Sequence, residues 1–221
     1  MTRSPEYCAI TPYSRLAGSS RVRVFEWLDR VGTDFAVVSY ASLADAAPSR
    51  LARHPLAVAR AELRLRSIAA GHPGRLLLHR EASPLSRGWW ERRLLTSADF
   101  AVYDFDDALQ WDRGAGGLAR KLAPKAQKAR TSVRHADRVI AGNDVLGSWA
   151  AQHHGDVVVI PSCVAPEDYL PKTSYALHDP PRLGWIGSRG HEAWLPPVAG
   201  ASGGSHRRPG ARLRPGGATR P

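Results

Sequence analysis

The residues best suited to chemistry lie at the ends of short apolar runs. Phe100–Tyr103 leads into Asp104-Phe105-Asp106-Asp107. If that run is a strand, Asp104, Asp106 and Asp107 stand at its carboxyl end, where they could accept hydrogen bonds from ligand hydroxyls or together hold a divalent cation. The plainer alternative is that at least one of them caps the following turn and another pairs with Arg80 or a basic neighbour. His79, Arg80 and Glu81 end a second run, a place for a general base or a phosphate-binding pair; a lone histidine is more often structural, and the Arg80-Glu81 pair is the better candidate.

Gly18, Ser19, Ser20 and Arg21 precede a third apolar pattern. Backbone N–H groups at a helix start, with the Arg21 guanidinium, would suit a phosphate, while a Gly-Ser turn that merely caps the helix would look the same. Lys121, Lys125, Lys128, Arg130 and Arg134 form a basic run at helical spacing. Such a run is usually a solvated face, and otherwise tracks an anionic lipid or nucleic acid.

These groups need a scaffold, and the pattern supplies one. Short apolar runs (Tyr7–Ile10, Phe35–Tyr40, Arg75–Arg80, Phe100–Tyr103, Arg138–Ala141, Val157–Pro161) alternate with amphipathic stretches, predicting strand–helix units and a parallel sheet. Helices are expected over Val22–Leu28, stopped by Gly32; over Ser49–Ala70, restarting at Pro55; through Trp89, Trp90 and Leu94; over Lys121–His135; and over Asp144–His153, capped by Asn143. The fold class is therefore α/β, a Rossmann-like parallel sheet flanked by helices.

Composition bounds the alternatives. The chain has 221 residues, 43% of them hydrophobic, with seven Trp, enough for one complete core and the start of a second. Net charge is +11, but five arginines and no acid lie after Pro196, so part of the excess belongs to a Gly/Pro/Arg-rich tail expected to be disordered. The charge alone would admit a nucleic-acid-binding protein, yet the basic run has no interleaved aromatics and no reader motif is present, so no nucleic-acid partner is expected. Two distant cysteines, Cys8 and Cys163, indicate neither a disulfide framework nor a zinc site. No signal peptide and no apolar run of about 18 residues is seen, which points to the cytoplasm, with peripheral contact at the inner membrane face left open.

Four stretches, in order and spacing, resemble the glycosyltransferase family-four group, in particular its bacterial cell-surface polysaccharide members. They are GSSRVRVFEWL at Gly18–Leu28, LLLHREASP at Leu76–Pro84, VYDFDDALQ at Val102–Gln110, and ADRVIAGNDVLGSWAAQHHGDVVVIPSCV at Ala136–Val164, the last followed by RLGWIGS at Arg182–Ser188. The resemblance implies the acceptor-side half of a two-domain enzyme that moves a sugar from a nucleotide-sugar donor to a cell-envelope or polysaccharide acceptor, glycan or lipid-linked. It implies no metal and no cofactor beyond the donor itself.

On this reading Asp104, Asp106, Asp107, Arg80 and Glu81 serve the reaction, Gly18, Ser19, Ser20, Arg21 and His79 bind the acceptor, and Gly187 and Ser188 approach the donor phosphates. The expected organisation is a Rossmann-like domain over 1–164, a linker over 165–181, the opening of a donor-binding domain over 182–195 and the tail over 196–221. The family's paired glutamates are not found after Glu192, so the chain is expected to be truncated, as a frameshift or premature stop in a GC-rich gene would produce, and inactive alone. Another class of function remains open: a non-catalytic acceptor-binding module that pairs with a separately encoded donor half.

Overall fold

The computed structural model describes residues 6–32, 34–40, 51, 53–112, 124–177, 184–185 and 214–215. The chain divides into two compact units, Met1–Val164 and Ala165–Pro221. The first holds a six-stranded sheet, all parallel, in the order β2-β1-β3-β4-β5-β6, with β1 Tyr7–Thr11, β2 Ala36–Ser39, β3 Arg75–His79, β4 Phe100–Phe105, β5 Arg138–Ala141 and β6 Val157–Val159. Helices flank it, so the arrangement is α/β and Rossmann-like.

Between β1 and β2 runs a helical stretch, α1, in three consecutive pieces: α-helical Gly18–Ser20, a π-helical turn Arg21–Phe25, and α-helical Glu26–Val31. Gly18, Ser19 and Ser20 are thus the first turn of the helix and not a turn ahead of it. Gly32, at φ 67, closes α1 in the left-handed conformation that glycine adopts without a Cβ penalty. The other helices are α2 Pro55–Ala70, α3 Trp89–Leu95, α4 Lys125–His135 and α5 Asp144–Ala151. Pro55 opens α2 at a position that needs no N–H donor, and the Asn143 side chain caps α5 by accepting from Leu146 N at 3.0 Å.

Strand order decides which face each helix covers. The step from β1 to β2 goes one way along the sheet and every later step goes the other, so right-handed crossovers put α1 on one face and α2–α5 on the opposite one. The core follows that division. Cys8, Ile10, Val38, Leu76, Leu78, Ala101, Tyr103, Phe105, Val139 and Ala141 point to the four-helix face, meeting Leu65 and Ala69 of α2, Trp90 and Leu94 of α3, Val133 of α4 and Leu146 of α5. Each large side chain buried in this way contributes about 1.5–3 kcal/mol.

Leu56 and Leu63, read from sequence as part of the apolar pattern of α2, lie on its exposed side. Both cysteines are free, Cys8 buried and Cys163 exposed, and burial pushes the Cys8 thiol up to about 11.

Lys121, Gly187 and Ser188 lie outside the described residues. In the second unit Gly184–Trp185 and Arg214–Pro215 form a short parallel pair, β7 and β8, and Pro166–Asp168 a 3-10 turn. A proline can sit in a strand whose donor side is unpaired, as the edge of a two-stranded pair provides.

Gly88, ahead of α3, has φ 105, and a Cβ there would meet Thr131 Oγ1 at 2.7 Å. Gly88→Ala is expected to lower the unfolding free energy by about 1–3 kcal/mol in urea titrations, since both backbone and contact are strained. An unchanged midpoint would show that the loop before α3 relaxes freely.

Candidate functional site

In open parallel sheets, ligands bind beyond the carboxyl ends of the strands, where the chain order reverses. That point here lies between β1 and β3. Four segments meet beside it: the end of β1 at Thr11, the first turns of α1, the residues after β3, and the residues after β4.

Asp104 occupies the centre. The sequence reading placed it just beyond its strand; β4 instead runs on to Phe105, and the alternation of the pleat turns Asp104 toward α1. Its Oδ2 lies 2.7 Å from His79 Nδ1, and both its oxygens accept from the Arg23 guanidinium. Arg23 also donates to the Ile160 carbonyl just past β6. All three side chains are buried. Burial alone would raise the Asp104 carboxyl, but the hydrogen bonds and charges of His79 and Arg23 hold it below the usual carboxylate range. Asp104 is thus an ionised, fully engaged anchor. Close by, Thr11 Oγ1 and Ser20 Oγ share a buried hydrogen bond of 2.6 Å that seats the first turn of α1 against β1.

Arg80 forms the rim. Its φ is 63, and Glu81 N donates to His79 O across it at 2.9 Å, a γ-turn with its central residue in the left-handed region. A non-glycine residue in that conformation costs of order 1–3 kcal/mol and persists only when its surroundings over-determine it. Here they do: Arg80 N donates to Asp104 O at 2.8 Å, and the Arg80 carbonyl accepts from Tyr103 OH at 2.9 Å. The turn sends the guanidinium to Ser19 Oγ at 2.9 Å and to the exposed Asp107 carboxylate, with Nε 4.0 Å from Asp106 Oδ1. Ser19, Arg80, Asp106 and Asp107, drawn from three separate stretches of sequence, are thereby brought together.

The remaining candidates go elsewhere. Arg21 is exposed and pairs along its own helix with Glu26 at 3.2 Å, so it is not aimed at an anion at the helix start, while Gly18 is exposed there. Glu81 turns toward α4, accepting from Lys128 Nζ at 2.7 Å with Lys125 Nζ at 3.5 Å. Lys128 is buried and also donates to the Ser83 carbonyl at 2.7 Å. The basic run is therefore no uniform solvated face: Arg130 and Arg134 are exposed, whereas Lys128 locks α4 onto the segment after β3. Lys128 and Lys125, against the cost of burial, hold the Glu81 carboxyl below its ordinary range.

Several participants escaped the sequence reading. Arg23 hides among Val22, Val24 and Phe25, and a cation inside an apolar helical stripe was the available signal. Glu62 of α2 accepts from Tyr40 OH at 2.8 Å, Ser83 Oγ at 2.6 Å and the Trp90 indole N–H. Glu91, buried and pushed up by its burial, accepts from Ala82 N at 3.0 Å and from Ser86 Oγ. Together these carboxylates tie the residues after β3 to α2, α3 and α4.

Among the described residues no group of three or more His, Cys, Asp or Glu is placed to hold a metal ion, and no helix is long and apolar enough to cross a membrane. The fold is thus α/β, with this cluster of polar side chains at the point where the strand order reverses. No family model matches the chain, and no curated protein does either.

Two outcomes follow from the buried charges. Lys128→Met should cost about 3–5 kcal/mol in denaturant unfolding, because it strands the Glu81 charge in the interior. Asp104 and Glu81 both have folded values below their unfolded ones, so their stabilisation is complete above the ordinary carboxylate range and is lost as pH falls below about 4. Glu91 carries the opposite sign: its contribution is complete in acid and declines as pH rises past the ordinary glutamate value. With two groups against one, the urea midpoint is expected to drop between pH 7 and pH 3, and a midpoint that held or rose would contradict the anchoring role given to Asp104 and Glu81.

Proposed function

We propose that the first unit is the acceptor-side domain of a two-domain glycosyltransferase, serving transfer of a sugar from a nucleotide-sugar donor to a cell-envelope or polysaccharide acceptor. The observation that carries this reading is the Arg80 guanidinium, which joins Ser19 to Asp107 at the switch point. Three of the stretches that resemble the family-four glycosyltransferases, Gly18–Leu28, Leu76–Pro84 and Val102–Gln110, are far apart in sequence, and Arg80 ties one residue of each. An acceptor-side domain needs such a convergence, because sugar transfer depends mainly on holding an acceptor hydroxyl in line with the donor.

In this reading Asp106 and Asp107 receive hydrogen bonds from the acceptor, Ser19 and Arg80 set their positions, and Asp104 with Arg23 keeps the strand ends and α1 in register. Glu81, turned to Lys128, supports the loop from behind. The location of the donor phosphates rests on the resemblance alone. The alternative of a nucleic-acid-binding protein loses ground, since Lys128 and Lys125 are committed to Glu81 and the basic run presents fewer free cations than its sequence promises.

The test is calorimetric titration of the purified chain with a panel of oligosaccharide and lipid-linked acceptors and, separately, with nucleotide sugars. An acceptor is expected to bind, and Arg80→Ala to weaken it by about tenfold or more through loss of the guanidinium that orders Asp107 and Ser19. Tight binding of a nucleotide sugar with no acceptor bound would sink the assignment.

A further inference from the structure

Buried polar atoms without a partner are rare in folded proteins, and each calls for a cause. Five such side-chain atoms occur among the described residues, and four of them lie on the segments that end or follow β3 and β4: His79 Nε2, Asp106 Oδ1, and Gln110 Oε1 and Nε2. Gln110 is 6% exposed, so its amide is cut off from bulk water on both sides. It stands in a 3-10 turn, Leu109–Trp111, whose last residue does the opposite, with Trp111 58% exposed.

The hydrogen-bonding character of three of the four atoms is informative. Asp106 Oδ1 and Gln110 Oε1 are acceptors and Gln110 Nε2 is a donor. His79 Nε2 gives no direction, since the donor and acceptor roles of the ring nitrogens depend on the tautomer. The two acceptors and one donor of Asp106 and Gln110 suit a ligand that donates as well as accepts. A phosphate only accepts, whereas each hydroxyl donates once and can also accept. The two guanidiniums here, Arg23 and Arg80, are already engaged by Asp104, Asp106 and Asp107 and so are committed elsewhere than to an anionic ligand. Asp106 Oδ1 stays unpartnered even with Arg80 Nε 4.0 Å away.

We infer that the segment after β4 takes an uncharged saccharide ring and not a phosphate group, with Asp106 and the Gln110 amide as hydrogen-bond partners of its hydroxyls and the Trp111 indole as the surface for its C–H face. The inference rests on reading this edge as a ligand site and narrows the acceptor to a neutral glycan. Gln110 and Trp111 are then specificity residues. The exposed indole supplies the flat apolar contact that a sugar ring presents on one side, and the amide supplies both halves of a hydroxyl's hydrogen bonding.

The experiment follows the Gln110 side-chain amide and Trp111 indole N–H signals by two-dimensional NMR on the full chain. It is titrated with glucose, galactose, mannose and N-acetylglucosamine and, in a separate arm, with inorganic phosphate. At least one saccharide should shift both signals, and phosphate neither. Gln110→Met keeps the volume and removes the unpaired polar atoms, so it should weaken that saccharide about tenfold while raising the thermal midpoint. Trp111→Ala, a surface change, should weaken the saccharide as well and serves if Gln110→Met fails to fold.

Shifts with phosphate and none with any saccharide would overturn the inference while leaving a phosphorylated acceptor for the glycosyltransferase reading. Silence in both arms would overturn it too, and so would a lower midpoint in Gln110→Met with saccharide affinity unchanged, since the amide would then be serving the fold through bound water. Saccharide shifts in a chain that also holds a nucleotide sugar tightly by itself would leave the inference standing and remove the acceptor-domain assignment.

Discussion

One carboxylate holds the carboxyl edge of the sheet together. Asp104 receives His79 from β3 and Arg23 from α1, and Arg23 extends the chain of bonds to the Ile160 carbonyl past β6. Taking such charges out of water is expensive, and the arrangement is tolerable only because each is met by another charge or a hydrogen bond. The position of α1 against the strand ends follows from it. So does the first turn of that helix, which brings Ser20 to Thr11 and Ser19 to Arg80.

Behind the rim a second set of carboxylates performs a different task. Glu62 accepts from Ser83 in the segment after β3 and from Trp90 of α3, Glu91 of α3 accepts from Ala82 and Ser86 of that segment, and Glu81, within it, accepts from Lys128 of α4. That segment contains the strained γ-turn at Arg80, and the strain is sustained because backbone and side-chain bonds fix the residues on both sides of it. The two layers are complementary: the inner carboxylates make the loop rigid, and its rigidity lets a single guanidinium order the two aspartates in front of it.

Much of this was readable beforehand, and the misses have identifiable causes. Alternating runs revealed every strand of the sheet, because a parallel sheet buried under helices writes near-continuous apolar stretches. The Asn143 cap and the Gly32 stop were likewise visible, being local. The three aspartates after Tyr103 could not be sorted by type. Their roles depend on whether the strand ends at Tyr103 or Phe105, and one residue of pleat decides which face a side chain joins. Lys128 read as part of a basic stripe, since nothing in its spacing shows that Glu81, 47 positions earlier, waits opposite. Arg23 was passed over because the apolar residues around it accounted for the helix without it.

The π-helical turn Arg21–Phe25 in α1 makes this economy of contacts sensitive to chain length as well as to composition. Each residue of an α-helix rotates its successor by about 100°, and a widened turn absorbs one surplus residue without disturbing the helix on either side. With that surplus, Ser20 and Arg23 both meet the sheet while Gly32 still arrives where the chain must turn. A deletion of one residue within α1 would restore a regular helix and carry Arg23 off the Asp104 carboxylate, or else swing the outer half of α1 away from β2. Relatives of this domain should therefore vary freely in the composition of that helix's outer surface, yet seldom in its number of residues.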